Sequence, residues 1–252
     1  MKNILVLGGT GGIGSHAVEL LLQNAEVGEV RIIVRSPGKL PEVVRKNPKL
    51  KVVTATSLLD MSASDMAEHL DGIDAMILSL GHDMSLKGVL FSRLVVLDAC
   101  KLVCDAIVQS GKPMRLIEVN SIGVPKPDGT EIGRGFGTTL ILGMIGRIVP
   151  PLKGSFRQAT YMLKDIGRDN KLIEWVLVRP DRLLDEADVS TYEVHDSIPW
   201  SMFKARSTSR INVADLMCKL ALDDDLFERW KGQFPVVINQ DRTGPKFIDS
   251  NV

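Results

Sequence analysis

The sequence predicts an α/β fold, in which helices cover both faces of a doubly wound, mostly parallel sheet. Short apolar runs, typical of strands buried on both faces, alternate along the chain with longer segments of helical periodicity. The first apolar run, residues 4–7, stops at a glycine-rich turn that leads directly into a helical pattern. The 252 residues match the length of one such unit, so we expect a single domain over residues 1–252.

The turn after the first strand has three equally spaced glycines, Gly8, Gly11 and Gly14. The first suits a tight turn, the second lets the backbone approach a pyrophosphate, and the third lets helix and strand pack closely. The N–H groups and the positive dipole end of the following helix favour phosphate. The strand before the turn and the helix after it favour a dinucleotide site over a turn without a ligand. The residues predicted to bind the cofactor here are Gly8, Thr10, Gly11, Gly12, Ile13 and Gly14.

The remaining elements follow in alternation. We expect helices over residues 15–23, 62–70, 86–109 and 157–169, and strands over residues 29–34, 51–56, 74–80, 114–120, 174–178 and 234–239. Ser62 and Asp65 have the spacing of a capping box. The helix over 86–109 is apolar around much of its girth, which indicates burial in the core or, in part, against a second subunit.

The end of the second predicted strand indicates which cofactor is preferred. Arg35 and Ser36 stand there, and no acidic residue competes with them. NAD sites usually place Asp or Glu at this point for the ribose 2′-hydroxyl, whereas an Arg accommodates the 2′-phosphate of NADP. A guanidinium fork suits a phosphate, so we predict NADP. An arginine that is merely solvated is the alternative.

Composition argues against several classes of partner. The 31 Lys and Arg balance the 31 Asp and Glu, which gives no sign of a nucleic-acid or membrane partner. Three cysteines, an odd number, argue against a disulfide framework and fit a reducing cytoplasm; Cys100 and Cys104 are expected to be buried thiols rather than a metal site. The first apolar run is too short for a signal peptide, and residues 138–151 are too short to span a bilayer. We expect a cytoplasmic monomer or homodimer that acts on a small molecule.

Several motifs together resemble the short-chain dehydrogenase/reductase superfamily, specifically its atypical, NmrA-like branch. Residues 8–14 are similar to the TGxxGxxG turn of that superfamily, and residues 171–180 (KLIEWVLVRP) are similar to the "ldWtivRP" segment of NmrA-like reductases. Residues 209–215 (SRINVAD) resemble the later "sR.dVA.f" helix start. The resemblance covers nearly the whole chain and implies a Rossmann-like fold that binds NAD(P)H.

The resemblance also implies further cofactor-binding positions. Asp60 resembles the acidic residue near the adenine amino group, and the strand end at Leu80 and Gly81 corresponds to the one that passes beneath the cofactor's ribose. Ser121 follows the fifth predicted strand, and ligands of open α/β sheets bind outside the carboxyl ends of strands, so it is expected near the nicotinamide. His82 is expected to be a surface loop residue rather than a catalytic one.

The catalytic candidates are Ser121, Tyr161 and Lys164. Most members of the superfamily pair a Tyr with a Lys four residues later, whereas Lys164 follows Tyr161 by three, a spacing that still shares a helix face. Counted back from residues 175–180, Tyr161 falls where the branch usually carries the Lys, or a His in the flavin and biliverdin reductase relatives, and Arg157 falls where the Tyr is expected. The standard pair is therefore altered, and we expect Tyr161 to line the nicotinamide end without being a strong acid.

The expected function is an NADP(H)-dependent oxidoreductase that reduces a small conjugated or carbonyl acceptor. Hydride transfer to a conjugated acceptor takes its proton from solvent and needs no strong side-chain acid. The alternative is a non-catalytic NADP(H)-binding sensor or regulatory scaffold of the NmrA type, which Arg157 at the Tyr position favours. Residues of about 124–155 and 181–208 are expected to form the substrate side, the second of them in a small C-terminal region.

Overall fold

The computed structural model describes residues 1–80, 95–131, 150–198 and 206–240. Strands in these residues are β1 (Lys2–Leu7), β2 (Val27–Val34), β3 (Leu50–Thr54), β4 (Ala75–Leu78), β5 (Met114–Val119), β6 (Ile173–Pro180), β7 (Arg182–Leu184), β8 (Tyr192–His195), β9 (Ser207–Ser209) and β10 (Val236–Asn239). The α-helices are α1 (Gly14–Gln23), α2 (Glu42–Arg45), α3 (Ala63–Glu68), α4 (Val95–Ser110), α5 (Pro150–Tyr161), α6 (Arg210–Leu222) and α7 (Asp224–Trp230). Short 3-10 helices span Pro37–Lys39 and Leu58–Asp60, and a π-helix, Met162–Ile166, continues α5.

Eight strands form one sheet in the order β3-β2-β1-β4-β5-β6-β10-β8. The first seven are parallel, and β8 joins the edge antiparallel to β10. The chain builds outward from β1 to β2 and β3, and then returns to place β4 on the other side of β1. This reversal is the topological switch point, where open α/β sheets bind their ligands. A separate pair, β7 with β9, lies parallel outside the main sheet.

The two faces of the sheet are covered by different helices. Ile4 and Val6 of β1 belong to a core that includes α1, α6 and α7, whereas Leu5 and Leu7 belong to a core with α3, α4 and α5. All four side chains are fully buried. Because successive strand residues point to opposite faces, an unbroken apolar run is what such a doubly covered strand requires. The predicted doubly wound fold is confirmed.

Most predicted elements are confirmed, and the exceptions are the start of α5 and several short elements that were not predicted. The capping box of α3 forms, because Ser62 accepts from the Asp65 N–H and the Asp65 carboxylate accepts from the Ser62 N–H. Helix α5, predicted from residue 157, begins at Pro150, a residue that a helix tolerates in its first turn. Strand β8 and the β7–β9 pair were not predicted, since such short segments carry little periodicity. Residues 86–94 of the long predicted helix lie outside the described residues.

None of the helices in the part of the chain described above is long and apolar enough to cross a bilayer. The three cysteines, Cys100, Cys104 and Cys218, are buried free thiols.

Candidate nucleotide-binding site

The glycine turn rests directly on the end of the neighbouring strand β4. Gly8 has a φ of +87°, and its carbonyl accepts the N–H of Gly11 at 2.8 Å. Ser79, the residue after β4, donates its N–H and its hydroxyl to the carbonyl of Leu7, at 3.0 and 3.1 Å. A Cβ built on Gly8 would lie 2.7 Å from the Ser79 carbonyl oxygen. Only a residue without a side chain, free to adopt positive φ, fits there.

The third glycine permits an even closer approach. A Cβ on Gly14 would lie 2.1 Å from the Gly8 carbonyl oxygen and 2.5 Å from the Ser79 hydroxyl. The first turn of α1 is therefore packed against the end of β1, as predicted for the third position of the motif. Gly11 differs, because its Cβ would meet the Gly8 oxygen at 3.2 Å and the residue is otherwise exposed. Space above Gly11 is left to a ligand rather than to the protein.

The start of α1 has the chemistry of an anion site. Ile13 precedes the helix without a side-chain cap, and the first turn contains no acidic residue. Thr10, Gly11 and Gly12 are exposed, so their backbone is open to a ligand. Uncapped N–H groups and the positive dipole end favour phosphate oxygens. The residues present therefore fit the pyrophosphate of a dinucleotide.

We expect Gly14→Ala to destabilise the protein, because the new methyl group would overlap the Gly8 carbonyl. Overpacking of this kind costs about 1–3 kcal/mol. Thermal unfolding monitored by circular dichroism checks this, with Gly38→Ala as the matched control, since a Cβ on Gly38 meets nothing within 4 Å. An unchanged melting temperature for Gly14→Ala would contradict the observed packing.

The other predicted cofactor positions lie after neighbouring strands. Arg35 and Ser36 directly follow β2 and are exposed. Asp60 is the exposed last residue of the 3-10 helix Leu58–Asp60, which Ser57 caps by accepting the N–H of Leu59 at 3.2 Å. Leu80 is half-buried and follows Ser79 at the end of β4. Gly81 and His82 lie outside the described residues.

Ser121 is held at the end of β5 by its neighbour Asn120. The buried Asn120 side chain accepts the Ser121 N–H at 2.8 Å and donates to the Ser155 carbonyl at 2.9 Å and to Gln158 Oε1 at 2.8 Å. The Ser121 hydroxyl oxygen in turn accepts the Gly123 N–H at 3.1 Å. These contacts tie the end of β5 to the middle of α5 and fix the Ser121 backbone.

The same polar chain continues into the core and ends on a carboxyl group. Gln158 donates its Nε2 to Glu118, a fully buried residue of β5. Burial raises the pKa of Glu118 to about 7, although the Cys100 thiol and the Gln158 amide favour the ionised form. This hydrogen bond orients both amides of the network, since Gln158 donates to Glu118 and must therefore present its oxygen to Asn120. Neither Gln158 nor Asn120 was predicted, because nothing in the local sequence pairs them.

The raised pKa of Glu118 makes stability depend on pH. Between pH 4.5 and about 7 the folded protein keeps a proton that the unfolded chain releases, so the free energy of unfolding falls as pH rises through this window. We expect the free energy of unfolding of Glu118→Gln to fall less over this window than that of the wild type, by up to about 3 kcal/mol. Urea unfolding at pH 4.5 and pH 8 measures it, and Glu68→Gln, at an exposed position of α3, is the control. Parallel pH profiles for wild type and Glu118→Gln would contradict the burial argument.

In the described residues, no hydrogen bond joins Tyr161 or Lys164 to Ser121. Helix α5 runs from the carboxyl edge of the sheet, where Ser155 meets Asn120, towards the opposite edge, where the Gly167 carbonyl accepts the Trp175 indole N–H near the start of β6. Tyr161 ends α5 midway between these two contacts, with Lys101 of α4 over its ring. Lys164 is exposed in the π-helix.

The expectation that Tyr161 lines the nicotinamide end stays a prediction, since the contact described for its ring is with Lys101 of α4. Burial raises the pKa of its phenol, which also makes it a poor proton donor. Arg157, expected at the Tyr position, is exposed on the outer side of α5, and it is Gln158 that reaches Asn120. Between Tyr161 and β6 the helix continues as a π-helix, which changes the rotation of its residues about the axis relative to an α-helix.

The second of the chain's two tyrosines is also engaged elsewhere. Tyr192 begins β8, three strands from β5, and donates its hydroxyl to Asp215 at 2.6 Å. Lys219 contacts both that hydroxyl, at 3.2 Å, and the Asp215 carboxylate, at 2.7 Å. Burial and the Asp215 charge raise the pKa of Tyr192. Neither tyrosine is therefore an activated acid at the end of β5.

Arg179, the arginine of the segment 171–180 (KLIEWVLVRP), has a structural role. Arg179 is almost fully buried in β6 and pairs with Glu131 at 2.6 Å. It also donates to the carbonyls of Phe234 and Val124, at 3.0 and 3.4 Å. Both partners of the ion pair are buried, so removing either would leave an uncompensated charge. Arg179 thus anchors the segment after β5 to the sheet.

Sheet order and glycine turn together define a dinucleotide-binding protein of the Rossmann-like type. A family model described as NAD(P)H-binding matches residues 8–224, and the chain belongs to this family. No curated protein matches the chain in sequence.

Solved structures share the fold at low sequence identity. An oxidoreductase, ylbE, from Lactococcus lactis superposes with a TM-score of 0.66 at 17% identity, over 95% of this chain and 91% of that chain. A short-chain dehydrogenase/reductase from Veillonella parvula in complex with NADP gives 0.67 at 15% identity, over 98% and 99%. ChuY, an anaerobillin reductase from Escherichia coli O157:H7, gives 0.62 at 18% identity, over 97% and 100%. These similarities agree with the resemblance to atypical short-chain dehydrogenases/reductases.

Proposed function

We propose that this protein is a cytoplasmic NADP(H)-dependent oxidoreductase that reduces a small conjugated or carbonyl acceptor. The observation that carries the proposal is the uncapped glycine turn at the topological switch point, with Arg35 exposed at the end of the adjacent strand. The buried free thiols of all three cysteines support a reducing compartment.

Each proposed binding residue has a distinct task. The backbone of residues 8–14 holds the pyrophosphate, and Arg35 with Ser36 binds the 2′-phosphate. Asp60 lies on the adenine side, Leu80 and Gly81 beneath the ribose, and Ser121 beside the nicotinamide. The bound dihydronicotinamide supplies a hydride to the acceptor. Residues of about 124–155 and 181–208 form the substrate side.

We favour conjugated acceptors because Tyr161 packs against Lys101 of α4 and Tyr192 donates its hydroxyl to Asp215, so the proposed chemistry relies on neither tyrosine as an acid. The Ser121 oxygen already accepts a hydrogen bond from Gly123, so its own proton can be donated to an acceptor oxygen. Such a hydrogen bond stabilises developing negative charge without transferring a proton, which solvent then supplies. The fold shared with an anaerobillin reductase is consistent with a conjugated acceptor.

Cofactor preference tests the role of Arg35. We expect NADPH to bind about ten- to a hundredfold more tightly than NADH, since a charge-assisted bidentate contact contributes about 1.5–3 kcal/mol. Arg35→Gln should reduce this ratio to near one by weakening NADPH alone. Fluorescence titration with both dinucleotides measures the ratio, and Arg45→Gln, which alters an arginine of α2, is the control. Equal affinities of the wild type for NADPH and NADH would contradict the predicted preference for NADP.

Substitution of Tyr161 tests the assignment of the acid. Because Tyr161 packs against α4, we expect Tyr161→Phe to change kcat for NADPH-dependent quinone or flavin reduction by less than tenfold. A general acid contributes about 10²–10⁴-fold, so the two roles are separable. Ser121→Ala is expected to have the larger effect on kcat. A thousandfold loss in Tyr161→Phe with unchanged NADPH affinity would restore tyrosine as the acid.

A non-catalytic NADP(H) sensor or regulatory scaffold of the NmrA type is the second candidate. The contacts of Tyr161 with α4 and of Tyr192 with Asp215 favour it as well, because a sensor needs the cofactor site alone. Turnover decides between the two. Oxidation of NADPH in the presence of flavins, quinones and enones supports the reductase, whereas tight NADPH binding without turnover of any acceptor supports the sensor.

A further inference from the structure

Arg210, the first residue of α6, lies against the outer side of the glycine turn. A Cβ built on Gly12 would sit 2.8 Å from the Cδ and 3.0 Å from the Nε of this arginine. The arginine stem thus occupies the space that a side chain at position 12 would need. Its guanidinium is thereby held at the turn whose backbone is proposed to bind the pyrophosphate.

Buried amide and hydroxyl groups fix the start of α6, so the backbone of Arg210 is held in place. The Ser209 hydroxyl accepts the Asn212 N–H at 3.3 Å and caps the helix. Asn239, the last residue of β10, accepts both the Ser209 N–H at 2.9 Å and the Asn212 side-chain amide at 2.8 Å. Because Asn212 is fully buried, these contacts tie the first turn of α6 to the sheet.

The glycine turn itself offers no formal charge to an anion. Residues 8–14 contain only Gly, Thr and Ile, and the helix dipole supplies the equivalent of about half a charge. A dinucleotide pyrophosphate carries two negative charges, which a guanidinium fork can bind in bidentate fashion. Arg35 follows β2 and is assigned to the 2′-phosphate, whereas Arg210 adjoins the turn.

The present partner of Arg210 is easily exchanged. Its Nη1 pairs with Asp185 Oδ1 at 2.6 Å, and the Asp185 side chain is 85% exposed. Exposed ion pairs of this kind contribute little to stability because solvent screens them. A pyrophosphate placed at the turn would therefore compete with Asp185 on favourable terms.

We propose that Arg210 binds the pyrophosphate of the cofactor, and that Asp185 is the exchangeable partner it leaves. This inference rests on the proposed cofactor site, and it is independent of whether the protein is a reductase or a sensor. Asp185 follows β7 in the proposed substrate-side segment, so the exchange also frees this residue when the dinucleotide binds.

Binding measurements with three ligands test the proposal. For Arg210→Gln we expect the Kd of NADPH and of NADH to rise by the same factor, about ten- to a hundredfold, because both contain the pyrophosphate. The Kd of 2′-AMP, which lacks the pyrophosphate, should not change, although Arg35→Gln should raise it. Asp185→Asn should tighten NADPH binding by about two- to fivefold, since the competing carboxylate is removed.

Arg45→Gln, at an exposed arginine of α2, is the control and should bind all three ligands as the wild type does. Wild-type affinities in a folded Arg210→Gln variant would overturn the inference while leaving the proposed function intact. Weakened 2′-AMP binding in that variant would also overturn it, by placing the guanidinium at the adenosine half. A wild type that binds neither dinucleotide would overturn both proposals. Circular dichroism establishes folding, and Asp185→Asn gives an independent answer if Arg210→Gln does not fold.

Discussion

The close approach of Gly8, Gly14 and Ser79 is the contact on which the site depends. It joins the end of β1, the start of α1 and the end of β4 where the winding of the sheet reverses. Because the backbone atoms meet there without intervening side chains, the N–H groups of α1 are brought to the carboxyl edge of the sheet. The other residues proposed to bind the cofactor follow neighbouring strands, on the same edge of the sheet.

Two polar networks extend from that edge and hold the elements on either side. One runs from Ser121 through Asn120 and Gln158 to Glu118, and it ties β5 to α5. The other joins α6 to the end of β10 through Asn239. The hydrogen-bonded amides of Asn120, Gln158 and Asn212 favour one arrangement of their elements. The two networks thus fix the positions of β5, α5, α6 and β10 around the proposed site.

The features that could be predicted from the sequence are those with local signals. The glycine turn, the strand end at Arg35 and the capping box at Ser62 are each visible within a few consecutive residues. Ser79 carried a weaker signal, since it directly follows an apolar run. Its role depends on β4 pairing with β1, a contact between segments about 70 residues apart in sequence.

Arg210, Gln158 and Tyr161 show why the surroundings of helical residues could not be predicted from the sequence. Whether a helical residue faces the site depends on where its helix starts relative to the edge of the sheet, and no local pattern states this. Helix α5 begins at Pro150 and continues into a π-helix, so the direction in which its residues face cannot be counted from the sequence alone. Arg210 belongs to a motif that indicates a helix start, and its contact with Gly12 arises from the packing of α6 on α1.

The most direct test of the central claim is an NMR titration of the ¹⁵N-labelled protein with NADPH. If the glycine turn at the switch point is the dinucleotide site, the largest amide shift changes should occur at residues 10–14, with further changes at Arg35 and Ser121. The amides of α7, on a helix distant in sequence from the turn, should remain in place. Saturable binding with unchanged amide shifts at residues 10–14 would contradict the account.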